Sequence, residues 1–373
     1  VAGRLLLTGW PLDRVWAEDG AVFLADARDH GWRSIGYSYA GYLHGLPRVL
    51  AVIGSHLPLS GYARWAVVVS GLVCALVAAL VCAAARQVTG SRWWAVVAGL
   101  ATVSAPALGT ESLGSLANLQ WFLLYGALWL CLTRPEGTRW PASAALAVTA
   151  AATTPLTVVL LPVLLLLHGR RVWRHPAAAG LVGGLVLQVL CILRAPRSTG
   201  LELDRGPGLP PGLGRTYVDS VAGVTTLSPR AGAAVGVLVL LAGAAALCTA
   251  RRHRREAVIV ALTGALLFVG TSVLTGATTG RYAGIGTLFL WAALVLAAGA
   301  APRWASALVG ALLATSAVIG LPVDAYLLSG PSWSSELDRA TSECRGPAAP
   351  DTAVLRLSPK GRTSITVSCR ALG

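Results

Sequence analysis

Apolar residues run along this chain in long blocks, separated by short polar punctuation rich in Arg, Gly and Pro. Trp65 to Ala85, Ala231 to Ala250 and Ala257 to Leu274 each reach the roughly 17–25 residues that a helix needs to cross the hydrocarbon core of a bilayer. Apolar length and polar boundaries predict about ten spans, at about 62–85, 93–110, 119–133, 141–153, 155–168, 177–194, 232–250, 257–275, 283–300 and 304–322. Pro155 and Pro162 leave a second reading open for the two short runs around them, a broken hairpin that does not fully cross. The expected fold is an all-α polytopic transmembrane helical bundle of about ten or eleven spans.

The loops sort by charge. Arg86 and Arg92, Arg134 and Arg139, Arg170, Arg171 and Arg174, Arg251, Arg252, Arg254 and Arg255, and Arg303 fall on one side, which the positive-inside rule assigns to the cytoplasm. The other side receives loop 11–61, loop 110–118, loop 195–231, turn 276–282 and the tail 323–373. Two units are therefore expected, a transmembrane domain over 1–322 with outer loops 11–61 and 195–231, and a small extracytoplasmic tail over 323–373. Val1 to Leu7 is too short to cross, so an upstream first span is expected before loop 11–61. Gly206-Pro207-Gly208 and Pro210-Pro211-Gly212 make loop 195–231 irregular.

In the tail, Ala353 to Leu357 and Ser364 to Val367 alternate as a small β-hairpin does. Cys344 and Cys369 lie there, and if the tail is outside the cytoplasm they are free to form a disulfide that staples it.

Composition removes the soluble alternatives. With 55% hydrophobic and 12% charged residues the chain needs lipid to cover its apolar surface. A net charge of +14 would suggest nucleic acid in a soluble protein, but the cations sit in short loops between spans, so no nucleic-acid partner is expected. Lys360 is the only lysine, methionine is absent, and Ala, Leu, Val, Gly and Arg dominate, which points to high-GC coding in a bacterium, an actinobacterium, and hence to a bacterial plasma membrane. Cys74, Cys82, Cys131, Cys191 and Cys248 fall in spans without metal-ligand spacing and read as packing residues.

Candidate chemistry gathers in the outer segments. Glu18 and Asp19, followed by Asp26, Asp29 and His30, form the densest acidic stretch. They can take a proton from a hydroxyl or bind a divalent cation, or they can be the solvated first turn of a short interfacial helix. Tyr37, Tyr39 and Tyr42 interleave with His44 and Arg48, which suits a sugar and its phosphate, or an aromatic belt at the headgroups. Asn118 and Gln120 can read hydroxyl groups or cap a helix beside Trp121. Arg281, with Tyr282 at the head of a late span, fits a lipid phosphate or simple snorkelling.

With its many spans, an acidic motif opening the first outer loop (Glu18-Asp19-Gly20) and an Arg-Tyr outer turn (Arg281-Tyr282), the chain resembles bacterial membrane glycosyltransferases of the GT-C superfamily. It is also similar to actinobacterial membrane proteins that pair a Trp-x-Glu-Asp-Gly segment (Trp16 to Gly20) with a Gly-Tyr-Leu-His-x-x-Pro-Arg segment (Gly41 to Arg48). The resemblance implies transfer of a sugar from a polyprenyl-phosphate donor to an extracytoplasmic glycan or lipid acceptor. Asp19 would be the general base and Glu18 the alternate; His44, Arg48, Asn118, Gln120, Arg281 and Tyr282 would bind substrate. Glu-Asp stands where a spaced Asp-x-Asp would indicate a divalent cation, so no metal site is assigned. A transporter or flippase of a lipid-linked sugar or amphiphile is the competing class. It would place ionisable residues near the membrane midplane, where this sequence has almost none.

Overall fold

The computed structural model describes residues 12–105, 112–134, 140–194, 229–275, 280–319, 330–345, 350–361 and 363–372. Most of loop 195–231 and the side chains of Arg281 and Tyr282 lie outside the described residues. After Leu12 the chain enters a π-helical stretch, Asp19–Leu24, which continues into helix α1 (Ala25–His30) and a 3-10 turn (Gly31–Gly36). A short antiparallel hairpin follows, β1 (Ser38–Tyr39) with β2 (Tyr42–Leu43), and leads into α2 (Gly45–Ser55). Loop 11–61 is therefore largely ordered secondary structure, which its irregular polar pattern did not reveal.

The long helices then succeed one another: α3 (Leu59–Thr89), α4 (Arg92–Ser104), α5 (Leu119–Leu132), α6 (Trp140–Thr153), α7 (Leu160–His168), α8 (Pro176–Arg194), α9 (Pro229–Thr249), α10 (Arg254–Thr275), α11 (Gly280–Ala300) and α12 (Arg303–Ile319). Among the described residues four stretches are long and apolar enough to cross a membrane: Leu59–Thr89, Pro155–Arg174, Pro176–Arg194 and Arg254–Val273. The second of these is continuous helical structure in which 3-10 turns flank α7. Thr154 separates it from α6 and caps it, its hydroxyl accepting the N–H of Leu156, so Pro155 begins an element where it has no N–H to lose.

Packing explains which helices lie inside. Every residue of α5 is buried, and so is α11 from Gly284 to Ala298, as a helix apolar on all sides requires. Helix α8 turns mostly small residues inward and large apolar ones outward. On α8, Ala177, Ala178, Gly180, Leu181 and Gly184 are buried, whereas Val186, Leu187, Val189 and Leu193 are exposed. Gly180 and Gly184 let α8 lie directly on α6: a methyl group on Gly184 would come within 2.5 Å of the Ala151 Cβ, and one on Gly180 within 2.5 Å of the Ala144 carbonyl oxygen.

Connections gather at two ends. At the arginine-rich end Trp94 Nε1 donates to Ser306 Oγ, Arg251 N to the Ala300 carbonyl, and Arg255 to the Leu166 carbonyl. His168 and His175 bond through Nε2 to the carbonyl oxygens of Cys131 and Thr133 there. The opposite end carries the leading segment, the 112–118 loop and the tail.

The tail holds a helix that its sequence pattern did not predict, α13 (Trp333–Cys344), capped by Ser332, and the expected hairpin of β3 (Thr352–Arg356) with β4 (Ser364–Ser368). Ala353, Leu355, Ile365 and Val367 alternate inward. The disulfide between Cys344 and Cys369 is formed, with Cα atoms 5.5 Å apart. The unit docks on the leading segment. Trp333 donates its backbone N–H to the Asp13 carbonyl and its indole N–H to that of Leu59, while Ser358 N donates to the Val15 carbonyl.

Candidate functional site

The acidic end is organised around Asp19. Its side chain is 1% exposed, and its two carboxylate oxygens accept the backbone N–H groups of Leu116 (2.8 Å) and Ala117 (2.9 Å), with Ser115 Oγ at 3.3 Å. Tyr62, on α3, donates its hydroxyl to the Asp19 carbonyl at 2.9 Å. Asp19 does occupy a first helical turn, but as a buried clamp between the leading segment and the 115–117 loop, not as a solvated helix start. Burial pushes the carboxyl up to about 7; the two backbone N–H groups oppose that rise, and neighbouring Glu18 adds to it. Glu18 itself is half-buried beside it.

His44 is fully buried and shares the same loop, its Nε2 lying 2.9 Å from the Ala117 carbonyl oxygen. Its ring stacks on Phe23 with centroids 5.4 Å apart and meets Tyr39 and Tyr42 edge-on. Burial, assisted by the charge of Arg48, lowers His44 to about 4, so it is a neutral hydrogen-bonding ring at physiological pH.

Arg48 is as buried as Asp19 and is held by the fold. It donates to Asp26 Oδ2 at 2.9 Å and to the Ser38 carbonyl at 3.2 Å, and its guanidinium lies 5.4 Å from the centre of the Phe23 ring. Neither a snorkelling arginine nor an open phosphate ligand has these contacts. Gln120 accepts the Tyr42 hydroxyl at 3.2 Å, and Asn118 accepts the Trp121 indole N–H at 3.1 Å. Asp19, His44, Asn118 and Gln120 thus meet in one polar layer, with Arg48 at its edge.

Gln188 completes the layer, and sequence reading passed over it. This amide on α8 accepts the Leu43 N–H at 2.9 Å and returns its own N–H groups to the Leu43 carbonyl (2.8 Å) and the Ala151 carbonyl (3.0 Å). It pairs with β2 as a strand would and fixes the hairpin next to His44. The available signal was a lone amide in an apolar run, a costly placement that needs a partner.

Among the described residues no group of three His, Cys, Asp or Glu side chains is placed to hold a metal ion. Comparison of the chain with family models, with curated proteins and with solved structures gives no match.

Proposed function

We propose that the chain is a multi-pass protein of a bacterial plasma membrane, with the arginine-rich end in the cytoplasm, and that it transfers a sugar from a polyprenyl-phosphate donor to an extracytoplasmic glycan or lipid acceptor at the acidic end. The outward-facing apolar side chains and inward-facing glycines and alanines support the bilayer placement. The observation that carries the functional reading is the convergence at that end of an acidic pair, an aromatic hairpin and two amides from distant parts of the chain.

We assign the two members of the acidic pair different roles. Both oxygens of Asp19 are engaged by the 115–117 loop, so Asp19 positions that loop. Glu18, closer to the surface, takes the proton from the acceptor hydroxyl. The acceptor oxygen then bonds to the anomeric carbon as the bond from that carbon to the phosphate oxygen breaks, and the polyprenyl phosphate leaves as an anion. Arg48 is committed to Asp26; we assign the leaving phosphate to Arg281 and Tyr282 on the sequence resemblance alone. Buried Asp, Glu, Arg and His side chains among the described residues lie toward the two ends of the bundle, in contrast to the midplane sites of a transporter.

Membranes containing the full chain, supplied with radiolabelled polyprenyl-phosphate sugar, test this reading. Transfer to an endogenous lipid or glycan should occur and be abolished in Glu18→Gln. No transfer with any polyprenyl-phosphate sugar, or full activity in Glu18→Gln, overturns it.

A further inference from the structure

Seven arginines crowd two turns at the end opposite the polar layer. Arg170, Arg171 and Arg174 lie in the 3-10 turn that follows α7, and Arg251, Arg252, Arg254 and Arg255 at the start of α10. All seven are exposed. Helix α10 packs against α7, and Arg255 Nη2 donates to the Leu166 carbonyl at 2.6 Å, which ties the two turns into one surface. Among the described residues none of the seven forms an ion pair, and Glu256 is the one carboxylate within the two arginine-bearing segments themselves.

Guanidinium groups that share one surface repel one another within a Debye length of about 10 Å, and a counter-anion removes that cost. Trp173, between Arg171 and Arg174, is 81% exposed, and Trp93 and Trp304 are exposed at the same end. Indoles at such a position sit at the headgroup level of a bilayer, and the guanidinium fork matches phosphate oxygens. The occupant is therefore both apolar and phosphorylated.

We propose that the two turns form a binding site for the phosphate headgroup of an anionic phospholipid in the leaflet at that end, with Trp173 entering the lipid beside it. This rests on the bilayer placement above and not on sugar transfer. A failed transfer assay leaves it standing, and a failed lipid assay leaves transfer untouched.

Purified full chain in zwitterionic detergent would be titrated with phosphatidylglycerol, phosphatidylcholine or glycerol 3-phosphate, and followed by thermal unfolding and by native mass spectrometry of bound lipid. Phosphatidylglycerol alone should bind and stabilise, and added salt should weaken it. Arg170→Gln/Arg171→Gln/Arg174→Gln and, separately, Arg251→Gln/Arg252→Gln should each lower its apparent affinity about ten-fold or more, from the loss of two or three charges near an anionic headgroup. Arg345→Gln, exposed in the tail, should leave it unchanged. Equal binding of phosphatidylcholine, salt-insensitive binding, or wild-type affinity in both multiple variants would overturn the proposal. So would a full shift with glycerol 3-phosphate alone, which would identify a site for free phosphate.

Discussion

The Asp19 carboxylate accepts the backbone N–H of Ala117 at 2.9 Å across 98 residues of sequence. With Leu116 N–H on the other oxygen, it is the join between the leading segment and the loop that enters α5.

Asp19→Asn should therefore disturb the fold as well as any chemistry. An amide has one accepting oxygen, so its NH₂ would face a backbone N–H, and an unsatisfied buried donor costs about 1–3 kcal/mol. Thermal unfolding of the purified variant should show that loss. The pH dependence carries a sign as well. Because Asp19 is raised to about 7, its contribution is full below the ordinary value of 3.8 and is lost as pH rises through about 7. Wild-type stability should fall across that window and the variant's should fall less; equal slopes would remove the buried-carboxyl account.

Gln188→Leu keeps the size of the side chain and removes its three hydrogen bonds. Leu43 N–H and the carbonyls of Leu43 and Ala151 would be left without this partner, at a cost of about 1–3 kcal/mol. Amide hydrogen exchange should speed up at Leu43 and its neighbours while the α3–α4 pair stays protected. Unchanged exchange at Leu43 would show that the hairpin is held by its aromatic contacts alone.

Gly184→Leu should separate α6 from α8, since the space for even a methyl group is taken by Ala151 and by the Val148 carbonyl oxygen. Overpacking of this kind costs about 1–3 kcal/mol. Gly183→Leu, whose nearest neighbour would lie at 4.0 Å, serves as the control. Loss of folded yield in the first variant and not in the second is the expected result.

The tail should respond to acid and to reductant separately. Glu336 is buried, which by itself would raise its pKa, but hydrogen bonds from Arg356 and Arg339 outweigh burial and hold it at about 2. Its contribution is present above the ordinary 4.5 and is lost as pH falls through about 2, and solvent screening at the exposed Arg356 keeps it modest. Proteolysis of the tail should increase across that range in wild type and should already be high at neutral pH in Glu336→Gln. Reduction of the Cys344–Cys369 bond should likewise expose the tail to protease, by up to about 3 kcal/mol for a loop of this length. Two free thiols in freshly isolated protein would count against the bond.

Sequence alone placed the apolar helices of the bundle. Blocks of apolar residues punctuated by arginine place α3 to α12 to within a few residues, because local length and polarity decide that. The alternation in β3 and β4, and the two cysteines flanking them, were legible for the same local reason. The acidic pair, His44, Asn118 and Gln120 stood out by residue type, but the main partners of Asp19 and His44 did not, since those are backbone groups. Asp19 is held by the N–H groups of Leu116 and Ala117, and His44 by the carbonyl of Ala117. A backbone amide is the same at every position, so only the tertiary path that brings residue 117 beside residue 19 makes it a ligand. The same path turned Arg48 inward onto Asp26 and set Gln188 against Leu43: a desolvated charge or amide takes whichever partner the fold brings within reach, and sequence spacing does not encode which one that is.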